Sequence, residues 1–248
     1  MIKLTNIAKS LCVLASVSFA ATYSWKIVDS IPHSVQHFTQ GLFWSGSELY
    51  ESTGLVGHSA LYRMDRKGKV LDSTTIAAPH FGEGSVRIGD DWVVLTWRSG
   101  LGFVYDAKTL KKKSEFPLTS EGWGLTQQNG LLILSSGRAE LLKLAPDSKQ
   151  TVGSILVTNQ GHPVEKLNEL EAVGKLILAN VWYSDSIAVI APDGHVQAWL
   201  NLAPIAKAEH LHNKQADVLN GIAWDGKHLW VTGKQWHEIY ALEVQELK

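Results

Sequence analysis

Glu83 is the residue in this 248-residue chain whose setting first asks for a chemical explanation. It lies between Gly82 and Gly84, two residues after Phe81. Glycine gives a strand nothing to pack and costs it backbone entropy. A carboxylate framed this way reads either as one that a substrate's backbone can approach closely or as a turn glutamate facing water. Other chemistries find less support. Cys12 is the one cysteine, and it falls in a stretch expected to be removed, which leaves no thiol nucleophile, disulfide or thiolate metal site. The ten histidines, His33, His37, His58, His80, His162, His195, His210, His212, His228 and His237, read as scattered. No acidic ligand cluster accompanies His210 and His212, so no catalytic metal is expected. A glycine-rich phosphate loop and a basic patch are both missing, which removes nucleotide and nucleic-acid partners from consideration.

Composition sets the frame. With 45% hydrophobic residues the chain can bury a large core, and 23 basic against 24 acidic residues leave a net charge of -1. That balance gives no long-range attraction to nucleic acid or anionic membranes. Ten tryptophans are a heavy load of large rings, each with one N–H to satisfy, and an aromatic-lined pocket is one use for them. Residues 1–20 differ from the rest: Lys3 and Lys9 precede an apolar run from Leu11 to Ala20, which closes on Ser18-Phe19-Ala20. The run is too short to anchor the chain across a bilayer and has the layout of a cleaved signal peptide. A periplasmic or secreted protein, away from the membrane after cleavage, is expected. Residues 21–248 show no linker and read as one domain.

The positions around Glu83 recur. Thr39-Gln40-Gly41-Leu42, Gly82-Glu83-Gly84-Ser85, Gly122-Trp123-Gly124-Leu125, Asn168-Glu169-Leu170-Glu171 and Asn220-Gly221-Ile222-Ala223 each open a stretch of short apolar runs between turn residues. The interval is roughly 40 to 50 residues, the period of propeller blades. A second and a third run follow each opening, and a fourth follows in the first four repeats, which predicts antiparallel strands. The last repeat stops after three, leaving a bare edge that the spare strand Trp25 to Asp29 can fill. The fold expected is therefore all-β, a five-bladed β-propeller whose N-terminal strand closes the last blade, with one helix-like excursion from Pro204 to Ala216. The repeat openings then converge on one mouth of the central channel and bring Gln40, Glu83, Trp123, Asn168, Glu169 and Asn220 together.

A resemblance runs along the whole of residues 21–248. The stretches FTQG at 38–41, FGEG at 81–84, LTW at 95–97, EGWGLT at 121–126, LNELE at 167–171, ANVW at 179–182, DVLNGIAW at 217–224 and VTGKQW at 231–236 resemble, in order, the glutaminyl-peptide cyclotransferases of the plant and bacterial type. That resemblance implies a five-bladed propeller, in agreement with the repeats, and conversion of N-terminal glutamine to pyroglutamate with loss of ammonia. It implies Glu83 as the acid–base group and Trp97, Trp123 and Trp182 as pocket walls, where the alternative for each is blade core. Phe38, Gln40 and Phe81 would pack against and hydrogen-bond the substrate. Asn168 would bind its γ-amide or α-amine, and Lys234, which could otherwise be a surface lysine, would donate to the developing oxyanion. Two departures stand out: Ser135-Ser136-Gly137 replaces the usual Ser-Asp-Gly, and Ser85 replaces Leu after FGEG. The missing Asp puts a turn contact or an ion ligand in doubt.

In this reaction the substrate's own amine attacks its own γ-amide, so no protein nucleophile is required. What is needed is a base for the amine, a stabiliser for the oxyanion and an acid for the departing nitrogen. No cofactor is required, although carbonyl and amide oxygens in the channel could hold a structural calcium ion. A monomer is expected. Two other chemistries fit the same openings. One is a non-catalytic propeller that binds peptide N-termini in an aromatic mouth. The other is a metal-dependent, lactonase-like hydrolase with calcium held by Glu83, Asn168 and Asn220, which leaves the tryptophans without a clear role.

Overall fold

The computed structural model describes residues 20–247; residues 1–19, where the signal peptide is expected, and residue 248 lie outside the described part. Each repeat folds into a four-stranded antiparallel blade. Blade 1 is Thr39–Ser45, Glu48–Thr53, Ala60–Met64 and Val70–Thr75, and blade 2 is Gly82–Ile88, Asp91–Thr96, Leu101–Asp106 and Lys112–Pro117. Blade 3 comprises Leu125–Gln128, Leu131–Leu134, Glu140–Leu144 and Thr151–Leu156. Blade 4 comprises Leu167–Val173, Leu176–Val181, Ser186–Ile190 and Val196–Asn201, with Ala21–Thr22 added in parallel at its outer edge. Blade 5 takes Leu219–Trp224, Leu229–Gly233 and Glu238–Val244 from the C-terminal end. Its outer strand is Trp25–Pro32, which pairs antiparallel with Glu238–Val244 from Trp25 opposite Val244 to Pro32 opposite Glu238. The five-bladed ring and its closure by the N-terminal strand are as the repeats predict. The excursion after blade 4 is the helix Ala203–His212, docked through buried Glu209, which accepts hydrogen bonds from His237 and the Tyr240 hydroxyl. No helix among the described residues is long and apolar enough to cross a membrane.

Alternating strands give each blade two apolar faces, and the core is accordingly split among the seams between blades. Phe43, Tyr50, Trp92 and Phe103 fill the seam between blades 1 and 2, with Tyr50 and Trp92 edge to face at 5.0 Å. Leu95, Leu125 and Leu132 fill the next seam, Ile133, Leu170 and Ile177 the one between blades 3 and 4, and Leu178, Ile222 and Trp236 the one between blades 4 and 5. Leu42, Leu49, Trp230 and Ile239 join blade 5 back to blade 1.

Around the channel the inner strands touch backbone to backbone. A Cβ on Gly84 would lie 2.5 Å from the Trp123 carbonyl oxygen, and one on Gly124 would lie 2.0 Å from that of Asn168. The glycines beside Glu83 thus serve neighbouring chain segments: Gly84 admits blade 3, and Gly82 packs against Ile76 and the Thr53 carbonyl. This corrects two expectations, that these glycines open a path for substrate backbone and that the segment makes a poor strand, since Gly82–Ile88 is the inner strand of blade 2.

The ring closes on a buried polar cluster that the sequence does not suggest. His33 follows the closing strand, His37 precedes blade 1, and both reach Glu51 in that blade's second strand. His33 Nε2 lies 2.9 Å from Glu51 Oε1, and His37 Nδ1 lies 2.7 Å from Oε2. The Thr39 hydroxyl donates to Oε1 at 2.7 Å, and His33 Nδ1 lies 2.9 Å from the Trp236 carbonyl of blade 5. Two of the histidines are therefore not scattered. A carbonyl oxygen on one side and a carboxylate on the other both call for N–H donors, so His33 is held as an imidazolium. Burial opposes that charge, but Glu51 and the Trp236 carbonyl outweigh burial and raise the His33 pKa above 6.5. Burial likewise opposes the Glu51 carboxylate, and the two histidines overcome it and hold Glu51 far below 4.5.

The linkage signs follow from these directions. The His33 contribution is complete below pH 6.5 and is lost as pH rises through its raised pKa. That of Glu51 is complete above pH 4.5 and is lost as pH falls towards its depressed one. Glu51→Gln strands a buried histidine charge and is expected to cost about 3 kcal/mol. The stability difference from wild type, read by denaturant unfolding across pH, should be largest between about pH 4.5 and 6.5 and shrink on both sides. A difference independent of pH would show that the cluster is not ionised.

Candidate active site

The polar side chains at one mouth of the channel are aimed by irregularities in the inner strands. Register slips between Thr39 and Gly41, Gly82 and Ser85, Leu167 and Leu170, and Leu219 and Ile222. Each slip is a β-bulge, which bends a strand and redirects the residue it carries. The residues on these four bulges are Gln40, Glu83, Asn168 with Glu169, and Asn220 with Gly221. In blade 3 the strand begins only at Leu125, and Trp123 is held instead by its N–H to the Ser135 carbonyl at 2.9 Å. Ser135 also accepts from Gly124 N at 2.7 Å and donates to the Asn168 carbonyl at 2.6 Å. This part of the departing Ser135-Ser136-Gly137 motif therefore joins blade 3 to blade 4. At Gly137 a Cβ would lie 2.8 Å from the Trp123 ring, so the indole rests on bare backbone.

The walls come from the ends of the second strands. Trp97 follows Asp91–Thr96, Trp182 follows Leu176–Val181, and Lys234 follows Leu229–Gly233. Trp182 and Lys234 occupy equivalent places in tight turns. Ser184 N bonds to the Val181 carbonyl, Trp236 N bonds to the Gly233 carbonyl, and the residues after them, Tyr183 and Gln235, have φ of 67° and 61°. Together these segments enclose a cavity of about 290 Å³ lined by Phe38, Gln40, Phe81, Glu83, Trp97, Trp123, Asn168, Trp182 and Lys234. All nine residues singled out from the sequence meet there. Arg98, Tyr183 and Asp217 complete the lining, and sequence reasoning passed over all three.

Glu121 is a further omission. Its Oε2 accepts the indole N–H of Trp97 at 2.9 Å and of Trp123 at 3.0 Å, and its Oε1 accepts from Arg98 Nε at 2.9 Å. One carboxylate thus orients two pocket walls from behind. An acidic residue two positions from a pocket tryptophan was the available signal, since a partly buried indole N–H seeks an acceptor. The other walls brace one another: Phe81 lies 5.6 Å from Trp97, Trp123 meets Trp182 edge to face at 5.5 Å, and the Lys234 ammonium sits 4.6 Å from the Phe38 ring centre.

Electrostatically the pocket is set by two buried groups. Burial pushes the Glu83 pKa well above 4.5, and Glu121 adds to this, while Lys234 and a hydrogen bond from Gln40 act the other way. Burial lowers the Lys234 pKa below 10.5 against the pull of Glu83 and Asp217. Asn220 gives its amide N–H to the Thr39 carbonyl and to Gln40 Oε1, which turns the Gln40 amino group towards Glu83. Two acceptor atoms, Glu83 Oε2 and Asn168 Oδ1, are buried without a hydrogen-bond partner. Such atoms are costly unless something fills them.

Asn220 gives its amide N–H to Gln40 and keeps Oδ1 without a partner; of the cation-binding set considered for a hydrolase, Glu83 and Asn168 line the pocket and Asn220 does not. The one cluster of metal-ligand type among the described residues is His33, His37 and Glu51. It lies in the ring seam, with both carboxylate oxygens taken by hydrogen bonds.

Comparison with known proteins accounts for this arrangement. The family model for glutamine cyclotransferase matches residues 3–244. The chain belongs to the glutamine cyclotransferase family. It is 36% identical over 231 residues to the glutaminyl-peptide cyclotransferase of Arabidopsis thaliana, covering 89% of this chain and 71% of that protein. The crystal structure of Myxococcus xanthus glutaminyl cyclase superposes with a TM-score of 0.83 at 31% identity, covering 91% of this chain and 99% of that one. The fold, glutamine cyclisation and membership of the transferases are thereby settled.

Removing the Glu121 carboxylate tests whether the walls need it. Glu121→Ala should raise KM more than it lowers kcat, because it frees two indoles that shape the pocket while leaving Glu83 in place. Steady-state kinetics with intrinsic fluorescence of the tryptophans would show both effects. An unchanged KM would mean that packing alone fixes Trp97 and Trp123.

Proposed function

We propose that this glutamine cyclotransferase acts on the exposed N-terminal glutamine of peptides and proteins, with Glu83 as the proton shuttle. The observation that carries the reading is the buried Glu83 carboxyl, raised in pKa, with one oxygen lacking a partner, inside an aromatic cavity. A peptide α-amine has an ordinary pKa near 8, and a carboxyl raised towards that value can take its proton at little cost. Glu83 then accepts the proton from the substrate's α-ammonium. The freed amine forms a bond to the γ-carbon, and the carbonyl oxygen takes up the electron pair as an oxyanion. Lys234, buried beside Phe38, supplies positive charge or a donated hydrogen bond to that oxygen. Collapse of the intermediate breaks the bond to the γ-nitrogen, which leaves as ammonia with the proton that Glu83 returns. The second proton, shed by the ring nitrogen, passes through the freed Glu83 carboxylate to the ammonia, which departs as ammonium.

Asn168 suits the γ-amide, because its free Oδ1 can accept the amide N–H. Gln40, turned by Asn220, supports the charged form of Glu83. Phe38, Phe81, Trp97, Trp123 and Trp182 exclude water and hold the short side chain in a folded shape, where proximity of amine and amide replaces much of the entropic barrier. Every step is met by a named side chain, so no cofactor is required. A calcium ion in the channel would be held by oxygens, and the free Asn220 Oδ1 is of the right chemistry; its service would be to the ring's stability. The leader read in residues 1–20 supports export to the periplasm or the medium, and the single closed ring supports a monomer.

Glu83→Gln keeps shape but cannot carry the proton. Turnover of a Gln-initiated peptide, followed by ammonia release and by the mass change on cyclisation, should fall at least ~100-fold, with KM less affected. Near-normal turnover in the folded variant would overturn the shuttle. Wild-type activity is also expected to survive exhaustive treatment with a zinc chelator, and loss that zinc restores would overturn the metal-free mechanism.

A further inference from the structure

Tyr183 is hard to explain as part of the fold. It is 69% exposed, and its φ of 67° is one that a bulky residue adopts only under strain, in a turn position usually given to glycine or asparagine. Its ring nevertheless stacks on Trp182, a wall of the catalytic cavity, at 4.3 Å and 27°, with the Lys166 ammonium 5.7 Å from its centre. The equivalent turn in blade 5 puts Gln235, a polar residue, at the same left-handed position after Lys234. A large ring held out in water on unfavourable backbone adds nothing to a blade core. Backbone strain of this kind persists where surrounding structure enforces it, and it gathers at ligand sites. Tyr183 also lines the mouth of the cavity that holds Glu83.

We propose that Tyr183, braced by Trp182, is a specificity subsite that receives the side chain of the residue following the N-terminal glutamine, and that it favours an aromatic side chain there. The inference rests on the cyclisation reading above. With the glutaminyl side chain enclosed by the tryptophans and its amine at Glu83, the peptide must leave through the mouth, where Trp182 and Tyr183 form one side and Arg98, stacked at 4.0 Å on Trp97, forms part of the lining. Arg98 is engaged by Glu121, and the Tyr183 hydroxyl has no hydrogen-bond partner among the described residues. The open feature of the mouth is thus a ring, and rings stack best on rings.

The test compares Gln-Phe-NH₂ with Gln-Ala-NH₂ in the wild type, Tyr183→Gly and Tyr183→Phe. Wild type should prefer Gln-Phe-NH₂ in kcat/KM by about five-fold, the order that one stacked ring pair supplies, with the gain mostly in KM. Tyr183→Gly should bring the ratio close to one and Tyr183→Phe should restore it. The melting temperature of Tyr183→Gly should hold or rise as strain is released. An unchanged preference in Tyr183→Gly would overturn the subsite, as would a fall in stability with both peptides losing equally, which is the mark of a structural role. If wild type cyclises neither peptide, the cyclisation reading itself fails and the subsite falls with it, an outcome distinct from cyclisation without preference.

Discussion

Five inner strands can surround one narrow channel only if adjacent backbones touch, and here the touching residues include Gly84 and Gly124, whose missing side chains make room for the carbonyls of Trp123 and Asn168. Much else depends on that contact. Strands brought so close cannot all continue in register with their own neighbours, and the bulges at Gln40, Glu83, Asn168 and Asn220 take up the difference. The same bulges turn Gln40, Glu83 and Asn168 to the mouth. The geometry that closes the ring is therefore the geometry that assembles the polar half of the site.

The aromatic half has a different origin and a complementary effect. Trp97 and Trp182 come from the ends of second strands, one step out from the channel, and bend back over it. Enclosing Glu83 among rings removes water, and burial is the largest influence on its pKa. An exposed carboxyl in the same place would ionise near its ordinary value. Glu121 completes the arrangement from outside. By taking the indole N–H groups of Trp97 and Trp123 it satisfies two partly buried donors in the aromatic walls.

Charge also holds the seam where the chain's two ends meet. Hydrogen bonds between Trp25–Pro32 and Glu238–Val244 close blade 5, and the His33, Glu51 and His37 cluster then fastens that blade to blade 1. His37 directly precedes Phe38, and its carbonyl accepts the N–H of Gln235, the residue after Lys234. Ring closure and the placing of two pocket residues thus share one set of contacts.

How much of this was legible beforehand divides along a physical line. The repeat of turn-rich openings, the alternation of short apolar runs and the missing fourth strand of the last repeat are local patterns, and they determined a five-bladed ring closed by the N-terminal strand. The residue types at the openings, with the family motifs, determined which nine side chains meet. Interactions between distant segments were not readable. The glycines beside Glu83 looked like access for a substrate because their true neighbours lie in blade 3 and at Thr53. Two of the seemingly scattered histidines gather on Glu51 because closing the ring brings residues 33, 37, 51 and 236 to one seam. Glu121 and Tyr183 carried no sequence signal strong enough to single them out, since an acceptor's role depends on where its donors lie and a strained φ exists only in the folded chain. Sequence sets what each strand can offer; the depth of burial, the partners of each polar atom and the backbone angle at Tyr183 are properties of the closed ring, because only closure decides what each group faces.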